Sequence, residues 1–465
     1  MDILFYDSHT SKIQEATDVH IEIISTEVVK PASPTPYHIR KHKLSIFDQL
    51  TPHMYTTPFV FFYPNDQRTN VTKVILERRQ RLKQSLAETL VSFYPLAGRI
   101  KDNVHLEYND DGAHYVEARI NDIQLLDFLG QKLEIHLINK LFPVQPGSRE
   151  LLSETRSLMI QISIFDCGGI AIGVSFAHKV VDGISILTFM KAWAATACES
   201  SERIHPSFIS PSIFPPLPHL PKELSQLSYV KIDNHNYVTK RFVFDRSALA
   251  ALKAKAATST FAKPSSVTVV TGLLWKSFIL TSKIRCENKK KPILLTPVNL
   301  RTRSSPPLPP NSFGNIVFTT FVPWMDDSDL DLKILANQIR NIITTIDNDF
   351  VEGMKGVDGI LKVIQHYKNL LRQCSYSNAE VFLISSICKQ GFCEVDFGWG
   401  KPIWSSMGSL GTNLYGNASG AVLTDTRSGD GIQAWVTIKE EDMAIFERNQ
   451  DLLGFASLNP NPLEN

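Results

Sequence analysis

The chain has 465 residues, 43% of them hydrophobic, with 48 Lys and Arg against 47 Asp and Glu for a net charge of +1. That is the profile of a globular protein of two to four domains, and it excludes disordered, collagen-like and coiled-coil classes. The balanced charge also argues against a surface built to neutralise nucleic-acid phosphates, so an anionic ligand needs a local basic site.

A leader of about eighteen residues carries acidic groups and an apolar run of only four, Ile3 to Tyr6, which does not make a signal peptide. Val19 to Lys30 is rich in β-branched residues and partly alternating, as in a strand, and stops at Pro31. Lys73 to Tyr94 places Leu82, Leu86, Leu90 and Phe93 on one helical face and stops before Pro95. Ser157 to Phe165 and Ile170 to Ala177 flank a turn at Asp166 to Gly169 and make a hairpin. A helix ending near Ala197 leads into Ser201 to Leu227, where six prolines mark an extended linker.

Beyond the linker come a strand at Tyr237 to Asp245, helices at Arg246 to Ala257 and Val267 to Thr281, and a buried strand at Pro292 to Leu300. A proline cluster at 306–310 precedes a β-rich run ending at Pro323, and Leu330 to Phe350 is helical. The last quarter returns to strands with glycine turns and ends in a short helix around Asp442 to Arg448. Strands and helices alternate on both sides of one linker. The organisation expected is therefore α/β, with residues 1–200 and 231–465 as two domains and 201–230 joining them. The six cysteines, at 167, 198, 286, 374, 388 and 393, are too scattered for a disulfide framework. The C-x4-C of Cys388 and Cys393 lacks the second pair that zinc needs, so no metal is expected. No run approaches ~18 apolar residues, so no membrane span is expected. The sequons at Asn70 and Asn417 are read as chance matches.

Two constellations can carry chemistry. In Ser175-Phe-Ala-His178-Lys-Val-Val-Asp182-Gly183 the imidazole ends an apolar row of Ile170, Ile172, Val174 and Phe176, opposite a face of small residues. Partial desolvation there keeps it neutral and able to act as a base. A hydrogen-bonded core histidine is the competing reading, and one H-x-x-x-D match is about what chance supplies. In Asp396-Phe-Gly-Trp399-Gly400-Lys-Pro402 two glycines can hold an indole on a tight loop, or simply make a turn with Asp396 in an ion pair.

Together these two segments resemble the BAHD family of plant acyl-CoA-dependent acyltransferases, as HxxxDG and DFGWG. Further matches are Leu44-Ser-Ile-Phe-Asp48-Gln49, Tyr94-Pro-Leu-Ala-Gly-Arg99, Val298-Asn-Leu-Arg301, Phe313-Gly-Asn315 and Gly431-Ile-Gln-Ala-Trp435. Ile384-Ser-Ser386 and the run from Phe392 to Pro402 resemble the branch that contains vinorine synthase and salutaridinol acetyltransferase.

The resemblance implies two chloramphenicol-acetyltransferase-like domains of mixed sheet plus helices, a long crossover loop, and a segment after about 396 that swaps back to the first domain. It implies His178 as general base in a channel between them, reached by acyl-CoA, which in this branch is mostly acetyl-CoA, and by a hydroxylated small-molecule acceptor such as an alkaloid. The co-substrate leaves no permanently bound cofactor. Ser385 is the implied oxyanion donor. Asp182 is implied to pair with an arginine, Arg301 or Arg303, while Asp396 and Trp399 support the domain junction. Lys263, Ser265 and Ser266, before a helix start, suit the CoA phosphates. Three departures stand out: Ile387 where many relatives have Trp, Gln433 in place of a common Glu, and the leader. A cytoplasmic monomer without nucleic-acid or membrane partners is expected. A non-catalytic metabolite-binding relative is the alternative, and a serine hydrolase is disfavoured by the lack of a G-x-S-x-G elbow.

Overall fold

The computed structural model describes residues 19–65, 70–131, 133–144, 156–225, 236–285, 291–323, 330–376, 379–409 and 419–464. The leader, Cys286, Asn417 and the end of the expected linker at 226–230 lie outside the described residues. In chain order the first half holds β1 (Ile21–Val29), α1 (Ile46–Leu50), β2 (Tyr55–Tyr63), α2 (Val71–Ser92), β3 (Ala113–Ile120), β4 (Leu158–Phe165), β5 (Ile170–Ala177) and α3 (Gly183–Ala197). The second half holds β6 (Tyr237–Phe244), α4 (Arg246–Ala256), α5 (Ser266–Arg285), β7 (Pro292–Asn299), β8 (Val317–Pro323), α6 (Leu332–Thr344) and α7 (Gly356–Tyr376). It continues through β9 (Glu380–Ser386), β10 (Trp404–Met407), β11 (Ser419–Asp425), β12 (Ile432–Lys439), α8 (Glu440–Phe446) and β13 (Ser457–Leu458).

Two mixed sheets organise these elements. The first has the order β1-β3-β4-β5-β2-β10 and the second β8-β7-β9-β11-β12-β6-β13. β10 belongs to the second half in sequence but pairs with β2, Trp404 opposite Phe62 and Met407 opposite Phe59. The chain thus returns to the first sheet after building most of the second. Phe392, Val395, Phe397 and Trp404 accordingly join the core of the first half.

Local sequence explains most elements. Ser45 and Asp48 form a reciprocal capping box that starts α1. The leucine face of α2 packs on α3, where Trp193 Nε1 donates to the Leu82 carbonyl at 3.2 Å and to Ser85 Oγ at 3.0 Å. α5 is long and apolar enough to cross a bilayer, yet most of it is buried in the core it shares with α4 and α6.

Several features differ from the sequence reading, β3 among them. The linker contains short helices at Ser210–Ile213 and Lys222–Ser225. The helix expected over Leu330 to Phe350 ends at Thr344, and Asp347 caps a separate turn through the Phe350 amide at 2.9 Å. β2 was not anticipated, because its apolar run lacks the alternation of a half-buried strand. α7 was not anticipated either, although Ile360, Val363, Tyr367 and Leu370 are buried at helical spacing.

Candidate active site

β5 stops at Ala177, one residue before His178, so the imidazole stands in a turn rather than in the strand. Both faces of β5 are buried. Its small residues serve packing: a Cβ on Gly173 would lie 2.0 Å from the Leu141 carbonyl oxygen. The His178 amide donates to the Met54 carbonyl at 2.9 Å, and its own carbonyl accepts from Asn315 Nδ2 at 2.8 Å. Nδ1 lies 3.1 Å from the Val181 carbonyl. A carbonyl can only accept, so this bond places the proton on Nδ1 and leaves the lone pair on Nε2. Burial lowers the pKa of His178, against hydrogen bonds that raise it, which favours the neutral ring.

Two neighbours that sequence reasoning left without a role hold this turn. Lys179 is buried and its Nζ donates to the carbonyls of Asp48, Gln49 and Thr51 at 3.2, 3.1 and 2.9 Å. It therefore fastens the end of α1 to the His178 turn, and burial pulls its pKa down to about 7. Asp48 accepts from the Asn315 amide at 2.7 Å and from Asn315 Nδ2 at 2.9 Å. The Leu44–Gln49 and Phe313–Asn315 motifs thus meet behind the histidine. Their residue types were visible in the sequence, but their meeting depends on the fold.

His178 borders a cavity of about 220 Å³ between the two halves of the chain. Met54, Phe59 and Ile186 line it from the first half, and Asn299, Ser385 and Val422 from the second. Ile387 lies against Gly183, where an added Cβ would meet Ile387 Cγ2 at 2.7 Å. A second cavity of about 240 Å³ shares Pro297, Asn299 and Ser386 with the first and reaches Val267 and Thr268 at the start of α5. The two cavities therefore adjoin, with Pro297, Asn299 and Ser386 as common wall, and the second lies at the helix start.

Asp182 borders the cavity, but both its carboxylate oxygens are engaged. Arg301 Nη1 donates to Oδ2 at 2.7 Å and Nη2 to Oδ1 at 3.0 Å. The same carboxylate caps α3 by accepting the Ser185 amide at 2.9 Å, and it accepts the Ile316 amide at 3.1 Å. Burial alone would raise the pKa of Asp182, yet the charge and hydrogen bonds of Arg301, with the two amides, hold it below the usual value. Arg301 is the partner and Arg303 is not. Arg303 donates to the Ile343 carbonyl at 3.0 Å at the end of α6 and lines the second cavity, a place the resemblance did not assign it.

The Asp396 loop lies apart from the central cavity. Asp396 Oδ1 accepts the amides of Gly398 at 2.8 Å and Gly400 at 2.9 Å, both glycines at positive φ, 96° and 101°. The carboxylate thus folds onto its own loop, and no ion pair of Asp396 is present among the described residues. Trp399 stacks on Phe397, meets the edge of Tyr63 and carries the Arg78 guanidinium 5.1 Å from its ring centre. Cys198 Sγ donates to the Asp396 carbonyl at 3.2 Å, tying the loop to the end of α3. Of the residues before α5, Lys263 and Ser265 are exposed. Ser265 caps the helix, its Oγ accepting the Thr268 amide at 3.0 Å. None of Lys263, Ser265 and Ser266 lines the second cavity, although Val267 and Thr268 do.

A family model described as the transferase family matches residues 19–453. A limonoid 7-O-acetyltransferase from Citrus sinensis is 38% identical over 458 residues, which cover 95% of this chain and 99% of that protein. Vinorine synthase from Rauvolfia serpentina is 35% identical over 91% of this chain and 96% of that protein. The crystal structure of vinorine synthase superposes with a TM-score of 0.78, covering 94% of this chain and 99% of that one. A structure of F. graminearum TRI101 with coenzyme A and T-2 mycotoxin, 15% identical, shares the fold with a TM-score of 0.67, covering 90% of this chain and 100% of that one.

Proposed function

The chain belongs to the BAHD transferases and is an acyl-CoA-dependent O-acyltransferase, and we propose that it acetylates a hydroxyl of a polycyclic plant metabolite with His178 as general base. The observation that carries this reading is the Nδ1–Val181 bond, which leaves Nε2 unprotonated beside a cavity lined by both halves. In the proposed step, Nε2 takes the acceptor's hydroxyl proton as the oxygen attacks the thioester carbonyl. Ser385 Oγ donates to the oxyanion that forms. Collapse breaks the carbon–sulfur bond, and the CoA thiolate leaves and takes the proton from the imidazolium. Acyl-CoA enters through the second cavity, its phosphates held at the mouth by Lys263 and Ser266 and along the wall by Arg303. Ser265, occupied in capping α5, contributes by orienting the helix start.

The acceptor class is supported by the relatives, which include limonoid acetyltransferases and a salutaridinol 7-O-acetyltransferase. A cytoplasmic monomer acting on free small molecules completes the proposal. The test is turnover of acetyl-CoA with a panel of hydroxylated alkaloids and limonoids by the native protein and by His178→Ala. A rate loss of about 10²–10⁴ in the variant is expected. Equal turnover by both would overturn the mechanism.

A further inference from the structure

A separate cavity of about 220 Å³, sharing no lining residue with the His178 cavity, lies where β6, β12, β10, the segment after the Leu125–Gly130 helix and the C-terminal tail meet. Arg241 of β6 lines it and is 5% exposed. Its guanidinium carbon is 5.1 Å from the ring centre of Trp404 and 5.8 Å from that of Trp435. Nη1 donates to Gln433 Oε1 at 2.8 Å and Nη2 to the Pro460 carbonyl. Every one of these neighbours is neutral. No Asp or Glu lines the cavity, and no ion pair of Arg241 is present among the described residues. Burial, with no carboxylate to oppose it, lowers the Arg241 pKa to about 10.

Two more groups on the same wall have unmet needs. Trp435 Nε1 and Gln131 Nε2 are both buried without a hydrogen-bond partner, and both residues line this cavity. A buried charge without a counter-charge and buried donors without acceptors each cost free energy. Here three donor-bearing residues from three distant parts of the chain line one space. The residue that could have neutralised Arg241 internally is Gln433, an amide where the family resemblance expects an acid.

We propose that this cavity binds a small oxyanion, inorganic phosphate or a short carboxylate, held by Arg241, Trp435 Nε1 and Gln131 Nε2. A guanidinium offers parallel N–H groups matched to two oxygens of such an anion, and the indole and amide N–H groups supply further donors. Because Gln131 lies in the first half, Arg241 and Trp435 in the second sheet, and Trp404 on the returning strand, the anion fastens all three together. It stabilises the folded protein by mass action and takes no part in acyl transfer.

The test is the melting temperature of the full-length protein, saturated with CoA so that the donor site cannot respond. Sodium chloride is replaced stepwise by sodium phosphate, or by sodium acetate, at constant ionic strength and pH. A rise of about 3 °C at a hundredfold excess over the dissociation constant is expected for the native chain. A response to phosphate alone identifies a phosphate ligand, and one to acetate alone a carboxylate. Gln433→Glu puts a carboxylate on Arg241 and should abolish the rise. Trp435→Phe, which removes one donor and keeps the aromatic bulk, should move the midpoint about fivefold higher in concentration. A native chain that does not respond, or a Gln433→Glu protein that responds equally, would overturn the proposal.

Discussion

Arg301 and Arg241 are both almost fully buried, at 2% and 5% exposure, but their charges are met in opposite ways. Arg301 faces Asp182 through two hydrogen bonds and also reaches the carbonyls of Ser312 and Gly314. Arg241 has two indole faces, one amide oxygen and one carbonyl. The first is a closed unit, and it stands next to the proposed catalytic turn. The second is open and stands at the junction of the returning strand with the tail. The charge of Arg301 is therefore met within the chain, whereas the proposed anion would meet that of Arg241 from solution.

The largest effect should come from breaking the closed pair. Arg301→Met strands the Asp182 carboxylate, and removing one partner of a buried pair typically costs about 3–5 kcal/mol. Urea denaturation of Arg301→Met, Asp182→Leu and the double variant would measure this. The double variant should lose much less than the sum, because no charge is left alone. Additive losses would mean that the pair is not a unit, and the contrast with Arg241 would fall.

Arg241→Met should cost less, under about 2 kcal/mol in buffer without phosphate or carboxylate. A desolvated cation–π contact is worth roughly that much, and removing an unneutralised buried charge offsets it. The same denaturation experiment measures it. A loss as large as that of Arg301→Met would show that Arg241 is compensated within the chain after all.

How far these differences were legible in the sequence varies with the residue. His178 and Asp182 lie four positions apart on one turn, so a local motif could mark both. The choice of Arg301 over Arg303 could not be made, since it depends on which side chain the chain after β7 turns toward the Ser312 and Gly314 carbonyls. Lys179 escaped notice because its partners are three backbone carbonyls, which no residue type advertises. The Asp396 loop was legible as a turn, but its carboxylate binds its own amides and not a cation. Gln131, Arg241 and Trp435 are ordinary residues in three unrelated segments, and only the folded chain brings them to one cavity. β2 was hidden by its even burial, whereas the buried positions of α7 carried a helical period that could have been found.

The smallest effect, and the sharpest test of the contrast, is in the acid limb of stability. Asp182 has a folded pKa below its unfolded value, so its contribution is complete above about pH 4 and is lost as pH falls through the folded value. Arg241 has no titrating partner among the described residues, so the difference in melting temperature between native protein and Arg241→Met should stay flat from neutral pH down to about pH 4. Gln433→Glu installs such a partner. Its carboxylate should be held below the ordinary Glu value of about 4.3 by Arg241, so the gain over the native chain should be constant above about pH 5 and shrink below it. Melting curves in buffers of one fixed anion would show this. A Gln433→Glu gain that does not change on acidification would mean that the new carboxylate fails to reach the guanidinium. A pH-dependent difference for Arg241→Met in that range would reveal an acid already paired with Arg241.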